Sequence, residues 1–150
     1  SLNYLSISVM KRKEGSMQKA NKKHRDIFFK SDKNDGVISV CSAAAKEYAK
    51  TLEIDMDVAF YETNVNLNKE KYQYMNPLYI RKLYFETEWT TDFVITYKDG
   101  KKKVRELVSK EMLSNRADME RLEFSRRYWS LVKNVEWKIL LIERSNQNVL

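Results

Sequence analysis

The sequence predicts an α/β domain with its elements in the order α, β, β, β, α, β. Three observations predict it. Apolar residues recur at helical spacing in residues 42–53 and 117–132, two β-rich runs flank Asp99-Gly100, and a further apolar run stands at Val135–Ile142. At 150 residues, 43% of them hydrophobic and with three Gly and one Pro, the chain can bury one sizeable core and is too apolar for a disordered or low-complexity linker.

Residues 42–53 are rich in helix formers, with Ser42 as N-cap and Cys41, Ala45, Tyr48 and Leu52 on one buried face. Residues 58–61 read as a short strand, and residues 78–85, after Pro77, as a longer one. Residues 91–97 and 103–109 form a hairpin about the Asp99-Gly100 turn, and a two-residue loop sets Asp92 across from Leu107, one residue from Glu106 and Val108. Residues 117–132 form a strong helix, with Leu122, Ser125, Trp129 and Val132 on one stripe beside Phe124, Tyr128 and Leu131. Val135–Ile142 is the last strand.

Composition narrows the chemistry. No apolar run approaches the roughly 18 residues of a membrane span, and the opening SLNYLSISVM lacks the basic start and unbroken apolar core of a signal peptide, so a cytoplasmic protein is expected. The lone Cys41 excludes a disulfide framework and a cysteine zinc site, and the single His24 excludes a multi-histidine centre, so a metal here needs oxygen ligands. The formal net charge of +7 favours an anionic partner. Between Lys11 and Lys33 stand nine basic residues (Lys11, Arg12, Lys13, Lys19, Lys22, Lys23, Arg25, Lys30, Lys33) against Glu14, Asp26 and Asp32, which reads as an extended basic arm over residues 1–36 that lies along phosphates; the alternative is a solvated terminus. Residues 37–150 are then the folded domain. Lys98, Lys101, Lys102, Lys103 and Arg105 surround the hairpin turn, either to hold nucleic acid or as solvated decoration.

One constellation has chemical content. In a strand, residues two and four apart share a face, so Glu106, Val108 and Lys110 project together toward the region of Asp92. Two carboxylates and a lysine suit a hard divalent cation, Mg²⁺ or Mn²⁺, which activates water and steadies the charge of a scissile phosphate. The same trio also arises on solvated sheet edges. Arg121, Arg126 and Arg127, with Ser114 and Asn115 near the helix start, offer phosphate contacts, against salt bridges such as Glu123 to Arg127. Trp89, Trp129 and Trp137 read as core and rim packing, and His24 as a satisfied polar residue of the arm.

Thr91-Asp92-Phe93-Val94-Ile95, Lys98-Asp99-Gly100, the block from Met119 to Trp129 and the Val135–Ile142 strand resemble TnsA, the endonuclease subunit of heteromeric transposases, in its N-terminal catalytic domain. The resemblance covers about 120 residues; the Leu122-Glu123 to Trp129 block is its specific part, whereas Thr-Asp-Phe belongs to many PD-(D/E)XK nucleases. It implies a restriction-endonuclease-like core, a central mixed sheet flanked by helices. It also implies a Mg²⁺-dependent cut at the 5′ side of a transposon or phage DNA end in a bacterial or phage-infected cell, with double-stranded DNA, a partner transposase and a transposition regulator as partners.

By that resemblance Asp92 is the metal-binding aspartate and Lys110 the motif lysine. Two positions depart from the family. Ala45 stands where a helical glutamate is expected, and Val108 where Glu or Gln is expected two residues before Lys110. Glu47 is a poor substitute for the first, being turned about 200° away by two helical steps. Glu106, one pleat from Val108, is a better substitute for the second and joins Asp92 as metal ligand. Ala45 is an inactivating change made for structural work, a natural loss, or a displaced alignment. The expected DNA contacts are Lys11, Arg12, Lys13, Lys22, Lys23, Arg25, Lys101, Lys102, Lys103 and Arg126. The alternative is a non-catalytic DNA-binding or assembly module on the same fold.

Overall fold

A computed structural model describes residues 26–143. The expected contacts Lys11, Arg12, Lys13, Lys22, Lys23 and Arg25, and His24, lie outside the described residues. Strands β1 (Ile27–Ser31) and β2 (Gly36–Val40) pair as an antiparallel hairpin, followed by helix α1 (Ala43–Ile54). Then come β3 (Val58–Asn66), β4 (Thr90–Tyr97), β5 (Lys102–Ser109), helix α2 (Arg116–Trp129) and β6 (Val135–Ile142). The four later strands form one sheet in the order β3-β4-β5-β6, antiparallel except for the parallel β5–β6 pair that α2 connects. This mixed sheet with its helices is a restriction-endonuclease-like core. Among the described residues no helix is long and apolar enough to cross a membrane.

Helix α1 begins as its sequence predicts: the Ser42 hydroxyl accepts the Ala45 N–H at 3.1 Å, satisfying one of the donors a helix start leaves over. Its face of Ala45, Ala49 and Leu52 packs on Val58, Tyr61, Phe93, Ile95 and Leu107 of the sheet. The β1–β2 hairpin closes one flank of this core. Glu53 near the end of α1 accepts from the hydroxyls of Ser31 and Tyr61, both at 2.5 Å, and from the Lys33 N–H at 3.3 Å. Burial alone raises the Glu53 carboxyl, but these hydrogen bonds, Ser31 first, outweigh it and hold the group below its ordinary value. Lys33 donates to the carbonyls of Asp55 and Val58. Lys30 and Lys33, read from the sequence as part of an extended arm, therefore belong to a folded hairpin whose Ile27 and Phe29 pack on the core.

From α1 onward the order α, β, β, β, α, β holds, but not with every expected strand, and the β1–β2 hairpin before it was not expected. Residues 78–85 are not a strand. The connection from β3 to β4 folds instead into two 3-10 turns, Lys69–Tyr74 and Lys82–Glu86. Ile80 and Tyr84 are buried four apart while Leu78, Tyr79 and Leu83 are exposed, so these apolar residues follow a helical spacing and not an alternation. With Leu67, Tyr72, Met75 and Trp89 they enclose Phe124 and Tyr128 of α2 in a second core. Phe124 is fully buried there, edge-on to Tyr72 at a centroid distance of 4.8 Å. The short strand expected at 58–61 continues to Asn66.

Candidate active site

The hairpin that carries Asp92 and Glu106 turns differently from the expected two-residue loop. Gly100 adopts φ +89°, its N–H donates to the Tyr97 carbonyl at 2.9 Å, and the Tyr97 N–H donates to the Lys101 carbonyl at 2.8 Å. Three residues, Lys98 to Gly100, thus make the loop, a type I turn closed by a left-handed glycine. The ladder pairs Phe93 with Arg105 and Thr96 with Lys102, and the same register carried one residue on sets Asp92 opposite Glu106, not opposite Leu107. One extra loop residue brings the two carboxylates face to face. Their side chains take over the ladder at this point: Glu106 Oε1 accepts the Asp92 N–H at 3.2 Å, and Asp92 Oδ2 accepts the Leu107 N–H at 2.8 Å.

Glu106 is completely buried against α2. Its Oε2 accepts from Ser125 at 2.6 Å and from Thr91 at 3.0 Å, and Arg121 Nη1 lies 3.7 Å from its Oε1. Each hydroxyl is itself held from outside: the Trp137 indole N–H donates to Ser125 at 3.0 Å and the Trp129 indole N–H donates to Thr91 at 2.8 Å. Burial first, then the charge of Asp92, raises the Glu106 carboxyl above its ordinary value, while Arg121 and Ser125 act against them. Asp92 is raised as well, again by burial, with Arg121 and the Leu107 N–H opposing. The two titrate as a pair.

Sequence reasoning missed the role of α2 in this arrangement. Arg121, expected at a phosphate, is 4% exposed and points inward; Ser125 and Trp129 follow at successive four-residue steps, so one side of the helix brings a charge, a hydroxyl and an indole to the strand pair. The signal was present as polar residues inside the apolar stripe. Trp129 and Trp137 are packing residues as expected, and also donors.

The other expected site residues are scattered. Lys110 is exposed, has helical dihedrals and stands one residue beyond the end of β5, so the alternation that would aim it beside Glu106 stops before it. Val108 fills the buried position next to Glu106 on that face, with no exposure. Ala45 lies on the buried face of α1 and supplies a methyl group to the core of Phe93 and Leu107. Glu47 is turned to solvent with Lys50 at 3.5 Å. Lys101 and Lys102 are exposed on the hairpin, whereas Lys103 sits over the Tyr97 ring at 4.7 Å and 3.8 Å from Glu136. Arg126 is bound by two hydrogen bonds to Glu123, at 2.9 and 2.6 Å, and Arg127 joins the same carboxylate at 2.6 Å. Asn115 caps α2 by accepting the Asp118 N–H at 2.9 Å, which occupies the helix start that was a candidate for phosphate.

As the side chains stand, Glu106 is closed to Mg²⁺ and only Asp92 is left to offer a carboxylate oxygen. The ion takes near-octahedral oxygen coordination, keeping several waters and binding through one or two carboxylates. Both Glu106 oxygens face proton donors or a guanidinium, Asp92 spends one oxygen on a backbone N–H, and neither Ala45 nor Val108 has an oxygen to offer. Among the described residues no group of three or more His, Cys, Asp or Glu is placed to hold a metal ion.

Among known proteins, no curated protein matches the chain. Residues 55–141, the stretch that runs from the end of α1 through β6 and contains Asp92, Glu106 and the whole of α2, match the family described as TnsA-like endonuclease N terminal. With more than half of its length matched and the fold in agreement, the chain belongs to the family of TnsA-like endonuclease N-terminal domains.

Proposed function

We propose that this chain engages duplex DNA as the nuclease-fold subunit of a transposition complex, and that with the residues it carries it does so without a Mg²⁺-dependent cut. The observation that carries this reading is Glu106, the only carboxylate facing Asp92 across the hairpin among the described residues, which is buried with both oxygens engaged. The net charge of +7 and the exposed Lys101 and Lys102 at the tip of the β4–β5 hairpin supply the attraction for phosphates. A partner transposase is the protein partner this reading assigns to the chain, with a transposition regulator as a further one.

A second reading, a metal-dependent endonuclease with Asp92 and Glu106 as ligands and Lys110 near the phosphate, is favoured by the adjacency of the two carboxylates at one strand pair. It requires Glu106 to leave its hydrogen bonds. Two assays separate the readings. Duplex binding followed by fluorescence anisotropy is expected to weaken steeply with salt, and Lys101→Glu with Lys102→Glu to lower the log–log salt slope by about 2. Absence of duplex binding at moderate salt overturns the DNA reading altogether. Supercoiled plasmid with Mg²⁺ or Mn²⁺ is expected to stay uncut; cutting that Asp92→Ala abolishes establishes the endonuclease instead.

A further inference from the structure

Two carboxylates gathered at the buried end of a strand pair repel one another, and the repulsion is relieved by a cation or by a shared proton. In a metal nuclease the cation is a bound divalent ion. In this chain a fixed positive charge already stands there. Arg121, on α2, is 4% exposed, with Nη1 3.7 Å from Glu106 Oε1. Ser125, one turn further along the same helix, donates to the other Glu106 oxygen at 2.6 Å, so α2 presents a cation and a proton donor to one carboxylate at once. Arginine suits the post because its guanidinium stays charged when buried and offers five N–H donors in a plane. Removing one member of such a buried pair leaves a charge without compensation, which costs far more than the pair contributes when whole.

We propose that Arg121 is the built-in counter-cation of the Asp92–Glu106 pair, standing by charge in the place a divalent ion takes between such carboxylates, so that the pair takes up neither Mg²⁺ nor Mn²⁺. The proposal rests on the closed-carboxylate part of the functional reading and is independent of DNA binding. It explains why Glu106 is turned into the protein: the positive charge lies inside, on α2, and not in solvent.

The experiment is thermal melting of the full chain in EDTA and in millimolar Mn²⁺, on the unchanged protein, Asp92→Asn, Arg121→Gln, Arg121→Lys, and Arg121→Gln combined with Asp92→Asn. Mn²⁺ is expected to leave the unchanged protein and Arg121→Lys at the same melting temperature. Arg121→Gln is expected to melt lower in EDTA and to recover several degrees with Mn²⁺, because a ligand at one hundred times its dissociation constant adds about 2.7 kcal/mol to the folded state. The recovery is expected to vanish when Asp92→Asn is added. A Mn²⁺-dependent rise in the unchanged protein that Asp92→Asn abolishes overturns the proposal, and so does an Arg121→Gln protein that folds yet gains nothing from Mn²⁺. If Arg121→Gln does not fold, the comparison of the unchanged protein with Asp92→Asn still decides. Loss of duplex binding in the anisotropy assay would remove the DNA reading and leave this result standing.

Discussion

Ser125→Ala tests whether the contacts between α2 and Glu106 hold the fold together. Ser125 is 2% exposed, donates to Glu106 Oε2 at 2.6 Å and accepts the Trp137 indole N–H at 3.0 Å. Above the raised value of the Glu106 carboxyl, about 7, a hydrogen bond to this charged group contributes about 1.5–3 kcal/mol, and its loss leaves a buried carboxylate short of a donor. The Trp137 N–H adds less, since that side chain is only half-buried and water can replace its partner. Against these, alanine is the better helix former by about 0.5 kcal/mol in the middle of α2. The balance is a loss of about 2 kcal/mol, which in a chain of this size lowers the melting temperature by roughly 4–8 °C. Urea denaturation should show the midpoint falling with the slope unchanged. The sign is decisive: an idle serine on a helix predicts equal or higher stability on change to alanine, and that outcome refutes the network. In a Glu106→Gln background the same change should cost less, because the charge that strengthens the bond is gone.

Glu123, held down to about 2 chiefly by its hydrogen bond from Arg126, has a folded value below its unfolded one. Its contribution is therefore complete above the ordinary glutamate range and disappears as pH falls toward 2. The difference in melting temperature between the unchanged protein and Glu123→Gln should be constant above about pH 5 and close below it, and a difference that grows on acidification contradicts the assignment. Gly100→Ala should cost about 1 kcal/mol, since nothing lies within 4 Å of an added methyl group and the penalty is conformational, at φ +89°. Gly100→Asn should cost less, asparagine being tolerant of positive φ; equal losses would place the strain elsewhere.

Much of the fold was legible because its signals are local. Ser42 caps α1 and the strip of Ala45, Ala49 and Leu52 faces the sheet at the spacing its sequence shows. Helix α2 and strand β6 match their apolar patterns to within a few residues. Residues 78–85 misled because a short apolar run after a proline satisfies a strand template and a pair of turns equally well; what separates them is Phe124 and Tyr128, some forty residues away, around which Ile80 and Tyr84 fold. Asp92 and Glu106 were recognised as partners, but their register was off by one, since Asp99-Gly100 is compatible with loops of two or three residues and only the closed ladder distinguishes them.

The sequence by itself determined the two helices and the β4, β5 and β6 strands in their order, the basic charge, and the presence of the carboxylates and of the α2 block that carries the family resemblance, because spacing along the chain is enough for each of these. The tertiary structure alone decided what the carboxylates face. The same Glu106 can turn toward solvent and a metal or toward Arg121 and Ser125, and the choice is made by helix packing across the sheet, where burial penalises every charge that lacks a partner.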